Sequence, residues 1–428
     1  MKIHIKNGLL IDPKNGIDRQ ADLYIAAGKV AGVGAVPEGF IANHAIDASS
    51  LVVCPGLVDL SARLREPGFE YKATLESELQ AAVAGGVTSL ACPPDTDPVL
   101  DEPGLVQMLK HRAKLLNLAH VYPLGALTRQ LEGKQLTEMR ELHEAGCVGF
   151  SHADAPLTDT RVLLRTMQYA ATFGFTVWLR PEDAFLAQGG VAHDGEVASR
   201  LGLPGIPSSA ETIALSTILR LAAETGVKLH ICRLSTHAGV EMVRKARQSG
   251  LTVTCDIAAN HLHLTEHDIG FFDANCYLKP PLRTQRDLEA LREGLKDGSI
   301  DAVCSDHTPV DDDAKLQPFA EAEAGATGLE LLLPLTLKWA SETRTQLSAA
   351  IASITLKPAA VLGIDAGHLS PGSNADICIF SAEEYWKVGA KSLVSQGRNS
   401  PFTGLELAGK VRYTLLHGQV VYQAAEIK

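Results

Sequence analysis

Histidine and aspartate fall close together at several points of this chain, and those side chains can hold a metal ion or move a proton. The runs are Ser151-His152-Ala153-Asp154, Asp256 followed by His261 and His263, and Ser305-Asp306-His307, with His230 alone inside Lys228-Leu229-His230-Ile231. His261 and His263 are two apart, so on a strand they share one face. A metal centre drawn from His152, His230, His261, His263 and His307 with Asp256 and Asp306 is one reading of these residues. The plainer reading is that histidines at strand ends are packed or hydrogen-bonded, and His230, set between Leu and Ile, reads as a core residue. Cysteine offers no third route. Cys54, Cys92, Cys147, Cys232, Cys255, Cys276, Cys304 and Cys378 stand singly with no CxxC pair, so neither a zinc ribbon nor a redox dithiol is signalled. Most lie inside apolar runs, where a buried reduced thiol is the simplest account.

The elements that must carry these residues are marked by a repeating phrase. Six times a helix-like stretch ends in glycine and a short apolar run follows. The runs begin after Gly86, Gly146, Gly174, Gly226, Gly250 and Gly298, as in Phe173-Gly174 into Phe175-Thr176-Val177-Trp178-Leu179. Glycine stops a helix by entering the left-handed region without a Cβ penalty. Near-continuous apolar runs suit strands buried on both faces of a parallel sheet. Ser208 with Glu211 predicts a capping box, and Asp101 with Pro103 predicts a helix start. Adding Leu57-Val58-Asp59-Leu60 and His120-Val121-Tyr122-Pro123-Leu124 makes eight strands alternating with helices. That count predicts an α/β fold of the (β/α)8, or TIM, barrel type over 55–365. A doubly wound open sheet is the alternative, but no GxGxxG follows the first strand.

The two ends differ. Residues 1–54 and 366–428 alternate around turns, as in Lys2-Ile3-His4-Ile5-Lys6-Asn7-Gly8 and Val411-Arg412-Tyr413-Thr414-Leu415-Leu416-His417-Gly418. Period-two alternation marks half-exposed antiparallel strands. The simplest arrangement pairs both ends into one small β-sandwich beside the barrel. The chain has 428 residues, 46% hydrophobic and 21% charged, with a net charge of −11. That is ordinary for a globular protein, and the negative balance argues against a nucleic-acid partner. With no long apolar span and no signal-like start, no membrane association and a cytoplasmic location are expected.

Several phrases in this layout resemble the dihydroorotase branch of the amidohydrolase superfamily along nearly the whole chain. Pro55-Gly56-Leu57-Val58-Asp59 followed by Leu64-Arg65-Glu66-Pro67-Gly68 resembles the family's PGLID-x-HxHLREPG. Asp95-Thr96-Asp97-Pro98-Val99 resembles PNTxPV, Glu182-Asp183 stands where the family has HCED, and Leu234-Ser235-Thr236 where it has HVST. Pro280-Pro281-Leu282-Arg283, Ser305-Asp306-His307-Thr308-Pro309, Gly325-Ala326-Thr327-Gly328-Leu329-Glu330 and Asn399-Ser400-Pro401-Phe402-Thr403-Gly404 match NPPLR, TDHAP, GxxGLE and NTPFxG. Any one phrase is weak; eight in order are strong.

The resemblance implies cyclic-amide chemistry on zinc-activated water, with ligands at the C-terminal mouth of the barrel. The matching positions depart from it. The HxH reads Ser61-Ala62-Arg63, the SDDG region reads Ser151-His152-Ala153-Asp154, and the histidines of HCED and HVST are Arg180 and Arg233. The bridging acid is displaced or lost, and Asp306 alone remains of the ligand and proton-transfer set. Arginine has no lone pair to give and stays charged. Among recognition positions Arg65 is kept, while the asparagines of PNT and NPPLR are Asp95 and Lys279 and the second histidine of DHAPH is Val310.

These departures lead to an expected vestigial pocket of Ser61, Arg63, Arg65, Asp95, His152, Arg180, Arg233, Lys279, Asp306 and His307, with no metal, no cofactor and no catalysis. The arginines are expected to pair with Asp306, Glu182, Asp183 or Asp95; a pocket for an anionic metabolite is the sharper alternative. The acidic runs Asp311-Asp312-Asp313 and Glu321-Ala322-Glu323 are expected to be solvated. The sequence further resembles a non-catalytic branch of the family that accompanies aspartate carbamoyltransferase. An assembly subunit of pyrimidine biosynthesis, possibly six plus six, is therefore expected. An active dihydroorotase or related cyclic amidase with a rebuilt zinc centre, Asp306 serving catalysis, is the competing reading.

Overall fold

A computed structural model describes residues 1–425. Eight parallel strands, numbered here in chain order, form one sheet: β1 Leu57–Asp59, β2 Val87–Cys92, β3 His120–Ala126, β4 Gly149–Ser151, β5 Thr176–Leu179, β6 Lys228–Ile231, β7 Val253–Ala258 and β8 Ala302–Cys304. Each pairs with the next in sequence. The ring closes just beyond β1 and β8, where Ala62 and His307 form a parallel bridge. There the Arg63 amide donates to the His307 carbonyl (2.9 Å) and the His307 amide to Ser61 (3.0 Å). The expected (β/α)8 barrel is thus present. Its lumen is filled by Val58, Leu60, Ala91, Leu124, Trp178, Ala258, Ala302 and Cys304.

Helices cover the strands' outer faces, and most end at the predicted glycines, with left-handed φ at Gly146, Gly174, Gly226 and Gly298. Five of the six strands that follow a predicted glycine start one or two residues later than their apolar runs. Cys147 and Leu251 still donate to the carbonyls of Leu142 (3.0 Å) and Ala246 (3.1 Å), closing the preceding helix ends before β4 and β7 begin. The predicted capping box at Ser208 is absent: the helix Ser208–Thr225 is capped by Pro207 without a side-chain bond. Glu211 instead is buried and accepts from the amides of Ser235 (2.9 Å) and Thr236 (3.0 Å) and from both hydroxyls (2.5 Å each). It thereby fixes the turn that follows Arg233. Asp101 likewise does not cap the helix Pro103–Leu116; its carboxylate accepts from the Gln130 amide (2.8 Å).

The chain ends combine as expected. One sheet joins Leu9–Asp12, Ile17–Gln20 and Val52–Pro55 to Ile377–Lys387, Glu406–Leu416 and Gln419–Gln423. A second holds Lys2–Lys6, Leu23–Ala26, Lys29–Val33 and His44–Asp47. Ile3, Ile5, Leu10, Leu23, Ile25, Val53, Ile377, Ile379 and Leu415 form the core between the sheets. All eight cysteines are free. No helix among the described residues is long and apolar enough to cross a membrane.

Candidate functional site

Asp59 ends β1 fully buried, and its carboxylate accepts from the Ser305 amide (2.7 Å) and hydroxyl (2.5 Å). Burial pushes this carboxyl up to about 6, against those hydrogen bonds. The contact locks the segments beyond β1 and β8 side by side, so that Arg63 and Asp306 both enter the mouth. Arg233 and Asp306 sit at φ 53° and 49°, a region costly to residues with a Cβ and held only by surrounding contacts. The Asp256 carboxylate fixes the first, accepting from the Arg233 amide (2.6 Å).

Asp154 is the hub. It accepts from Arg63 Nη2 (2.8 Å), Arg180 Nε (2.8 Å) and Arg233 Nη2 (2.5 Å). Arg63 also donates to Asp95 (2.8 Å) and the Thr308 hydroxyl (3.0 Å). Arg180 forks onto both oxygens of Glu182 (2.6 and 2.8 Å), and Arg233 reaches Asp306 (2.8 Å) and the Lys279 carbonyl (3.2 Å). Gly325, at φ 135°, lines the same cleft, and a Cβ there would meet Thr308 at 2.4 Å. Glycine is therefore required behind that hydroxyl.

Burial pushes the Asp154 carboxyl up, but Arg233, Arg63 and Arg180 outweigh it and hold the group well below the usual carboxylate range. At Asp306 burial wins over Arg233 and Arg63, and the carboxyl is raised. Burial disfavours the charge on Arg63 and Arg233, yet the carboxylates around them keep both above the ordinary arginine value. Arg65, whose Nε donates to the Pro309 carbonyl (2.7 Å), is lowered by burial and by neighbouring Arg63.

Six of the ten expected pocket residues, Arg63, Arg65, Asp95, Arg233, Lys279 and Asp306, line one cleft of about 230 Å³, together with Asp154 and Lys72. Ser61 borders a small void beneath it. Arg180 joins through Asp154. Two residues must be corrected. His152 turns to the flank, where Nδ1 donates to the Ala155 carbonyl (2.7 Å) and Nε2 meets the Thr128 hydroxyl (2.8 Å). His307 points behind β8, with Nε2 donating to Glu78 (2.6 Å) and Nδ1 accepting from the Gly328 amide (3.1 Å). Asp306 takes a left-handed backbone (φ 49°) and turns its carboxylate into the mouth, while His307 is held facing away by Glu78 and the Gly328 amide.

Of the expected partners, Asp306, Glu182 and Asp95 take part. Asp183 does not, since it accepts from the amides of Phe185 (3.1 Å) and Leu186 (3.0 Å). Asp154 was missed as the hub; three buried cations converging on one mouth are the signal that a further carboxylate must lie among them. The acidic run 311–313 is exposed, but Glu323 is tied down by an ion pair with Lys72.

The rearranged metal centre does not form from the expected histidines. His230 lies in the lumen against Trp178 (4.2 Å between ring centroids), bonded to Thr254 (2.8 Å) and Asp256 (3.0 Å). His261 meets the Pro281 carbonyl (3.2 Å) and His263 that of Leu335 (2.8 Å). Burial lowers both to about 4.

A Dihydro-orotase-like family profile matches residues 50–239 and an Amidohydrolase family profile matches residues 277–422. A "Dihydroorotase-like protein" from Pseudomonas aeruginosa is 44% identical over 99% of this chain and 100% of its own length. A "Dihydroorotase" from Geobacter sp. is 41% identical over 99% and 100%. Among solved structures, the L-hydantoinase (dihydropyrimidinase) from Arthrobacter aurescens superposes with a TM-score of 0.89 at 26% identity, covering 100% of this chain and 97% of that one.

Proposed function

Because the chain belongs to the dihydroorotase-like family of the amidohydrolase superfamily, we propose that it is a non-catalytic member, an assembly subunit for aspartate carbamoyltransferase in pyrimidine biosynthesis. The observation that carries this reading is the arginine cluster. A zinc pair needs lone pairs from imidazole, carboxylate or thiolate. Here Arg63, Arg180 and Arg233 fill the mouth, and Asp154 and Asp306, which a dication would need, are engaged by guanidiniums. The donor set does not fit zinc. The choice of partner rests on the resemblance to the carbamoyltransferase-associated branch of the family, as does a composition of six chains of each kind.

The test is co-expression with the carbamoyltransferase of the same organism. A single large species on size exclusion with light scattering, and no turnover of dihydroorotate, is the expected result. Independent elution with unchanged carbamoyltransferase activity removes the assembly role. A second reading, a working cyclic amidase, is favoured by the relatives named dihydroorotase and by the hydantoinase likeness. It requires zinc-dependent turnover of dihydroorotate or a hydantoin by the purified chain.

A further inference from the structure

Away from the mouth, three donors converge at the opposite end of the barrel. His120 opens β3 at its N-terminal end, Asp376 immediately precedes the strand Ile377–Lys387, and His417 occupies the turn between Glu406–Leu416 and Gln419–Gln423. One ligand atom from each lies within 4.8 Å of the others, the only such trio of histidine, cysteine or acidic residues among the described residues. We propose that His120, Asp376 and His417 bind a divalent first-row transition ion such as zinc at the seam between barrel and sandwich.

The carboxylate is already oriented for this task. Asp376 Oδ1 accepts from the His417 amide at 2.7 Å, leaving Oδ2 facing His120 Nε2 at 3.0 Å. Outer hydrogen bonds of this kind fix the ligands of metal sites. The two imidazole rings stand 4.9 Å apart at 81°, so their nitrogens can approach one point from different directions. Zinc bonds of roughly 2.0–2.2 Å in tetrahedral array place donor atoms about 3.4 Å apart. The present contact needs to open by only a few tenths of an ångström. Two imidazoles and one carboxylate leave a fourth position for water, and the exposure of His417 supplies a path for it. Nitrogen donors favour zinc, copper or nickel over magnesium and calcium, which prefer all-oxygen shells. The histidine–aspartate pairs His4 with Asp22 and His368 with Asp365 have no third donor among the described residues.

Such an ion ties the third barrel strand to the sandwich strands, so its binding energy adds to the stability of the folded chain. The test uses the full chain, stripped with chelator and titrated with zinc chloride near neutral pH by calorimetry, with cobalt absorbance as a check on geometry. The expected result is one ion per chain, a thermal midpoint raised by zinc, and at least about tenfold weaker binding in both His120→Gln and His417→Asn. Asparagine is chosen because it tolerates the left-handed backbone of His417, φ 47°. Absence of heat and of any midpoint shift up to about 1 mM zinc overturns the proposal. So does equal binding by wild type and both variants, which would place the ion elsewhere, in the mouth included.

Discussion

The mouth of the barrel and the layer behind β8 lie back to back, separated by the Asp306-His307 step, and both bury several carboxylates. In the mouth, Asp154 is met by three guanidiniums and its carboxyl is held far down despite burial. Behind β8, Glu330 accepts only neutral donors, the amides of Val394 (2.9 and 3.0 Å) and Ser395 (3.1 Å). Burial there dominates and pushes it up to about 7. Glu78, beside it, meets the His307 ring and the Ser395 hydroxyl (2.6 Å each), which bring it down against burial. Burial alone therefore does not decide the state of these carboxylates; the charge of what faces them does.

The largest effect is expected from Asp154→Asn. It removes the one group bonded to Arg63, Arg180 and Arg233 alike. Breaking a buried pair while leaving its partner charged costs about 3–5 kcal/mol. The guanidiniums keep Asp95, Glu182 and Asp306, so the loss falls within that range rather than beyond it. Urea unfolding of the variant checks it; a change below about 1 kcal/mol would show the mouth is held by something other than Asp154. The sign with pH is fixed too. A depressed folded-state value stabilises above the unfolded value of 3.8 and is lost as pH falls through the folded one, so the wild type loses this advantage only in strong acid.

The barrel and the pairing of the chain ends were legible because glycine-ended helices and apolar runs are local signals. Arg63, Arg180 and Arg233 were legible through phrases that place them after β1, β5 and β6. What stayed hidden was direction. His152 and His307 neighbour mouth residues in sequence, and only the left-handed turns at Ala153 and Asp306 and the competing partners Thr128 and Glu78 decide that they turn away. Glu211 fitted a cap by spacing, yet two amides and two hydroxyls in the turn after β6 claimed its carboxylate. Local propensity lost to a tertiary network it could not represent.

The comparison sharpens with Glu330→Gln. Glu330 is raised from 4.5 to about 7, by burial first, with Glu78 adding to the rise and His307 opposing it. Between those values the unfolded chain has released the proton that the folded chain keeps, so stability falls as pH rises. The contribution is whole below 4.5 and spent once pH passes about 7. Glutamine, neutral throughout, is expected to flatten the stability profile over that window. Thermal melts from acid to slightly alkaline pH read the difference, and parallel profiles for variant and wild type would remove Glu330 from the account.

The smallest effect is expected at the rim. Lys279 is exposed and lines the cleft, but among the described residues its ammonium has no ion pair. Only its backbone carbonyl is used, accepting from Arg233. Lys279→Met keeps that carbonyl and much of the side-chain volume, so stability should move by less than about 0.5 kcal/mol. Unfolding in urea at low and at moderate salt measures it. A loss approaching that of Asp154→Asn would mean that rim and buried charges act as one unit, and the contrast between cations buried against carboxylates and cations left in water would fail within the mouth itself.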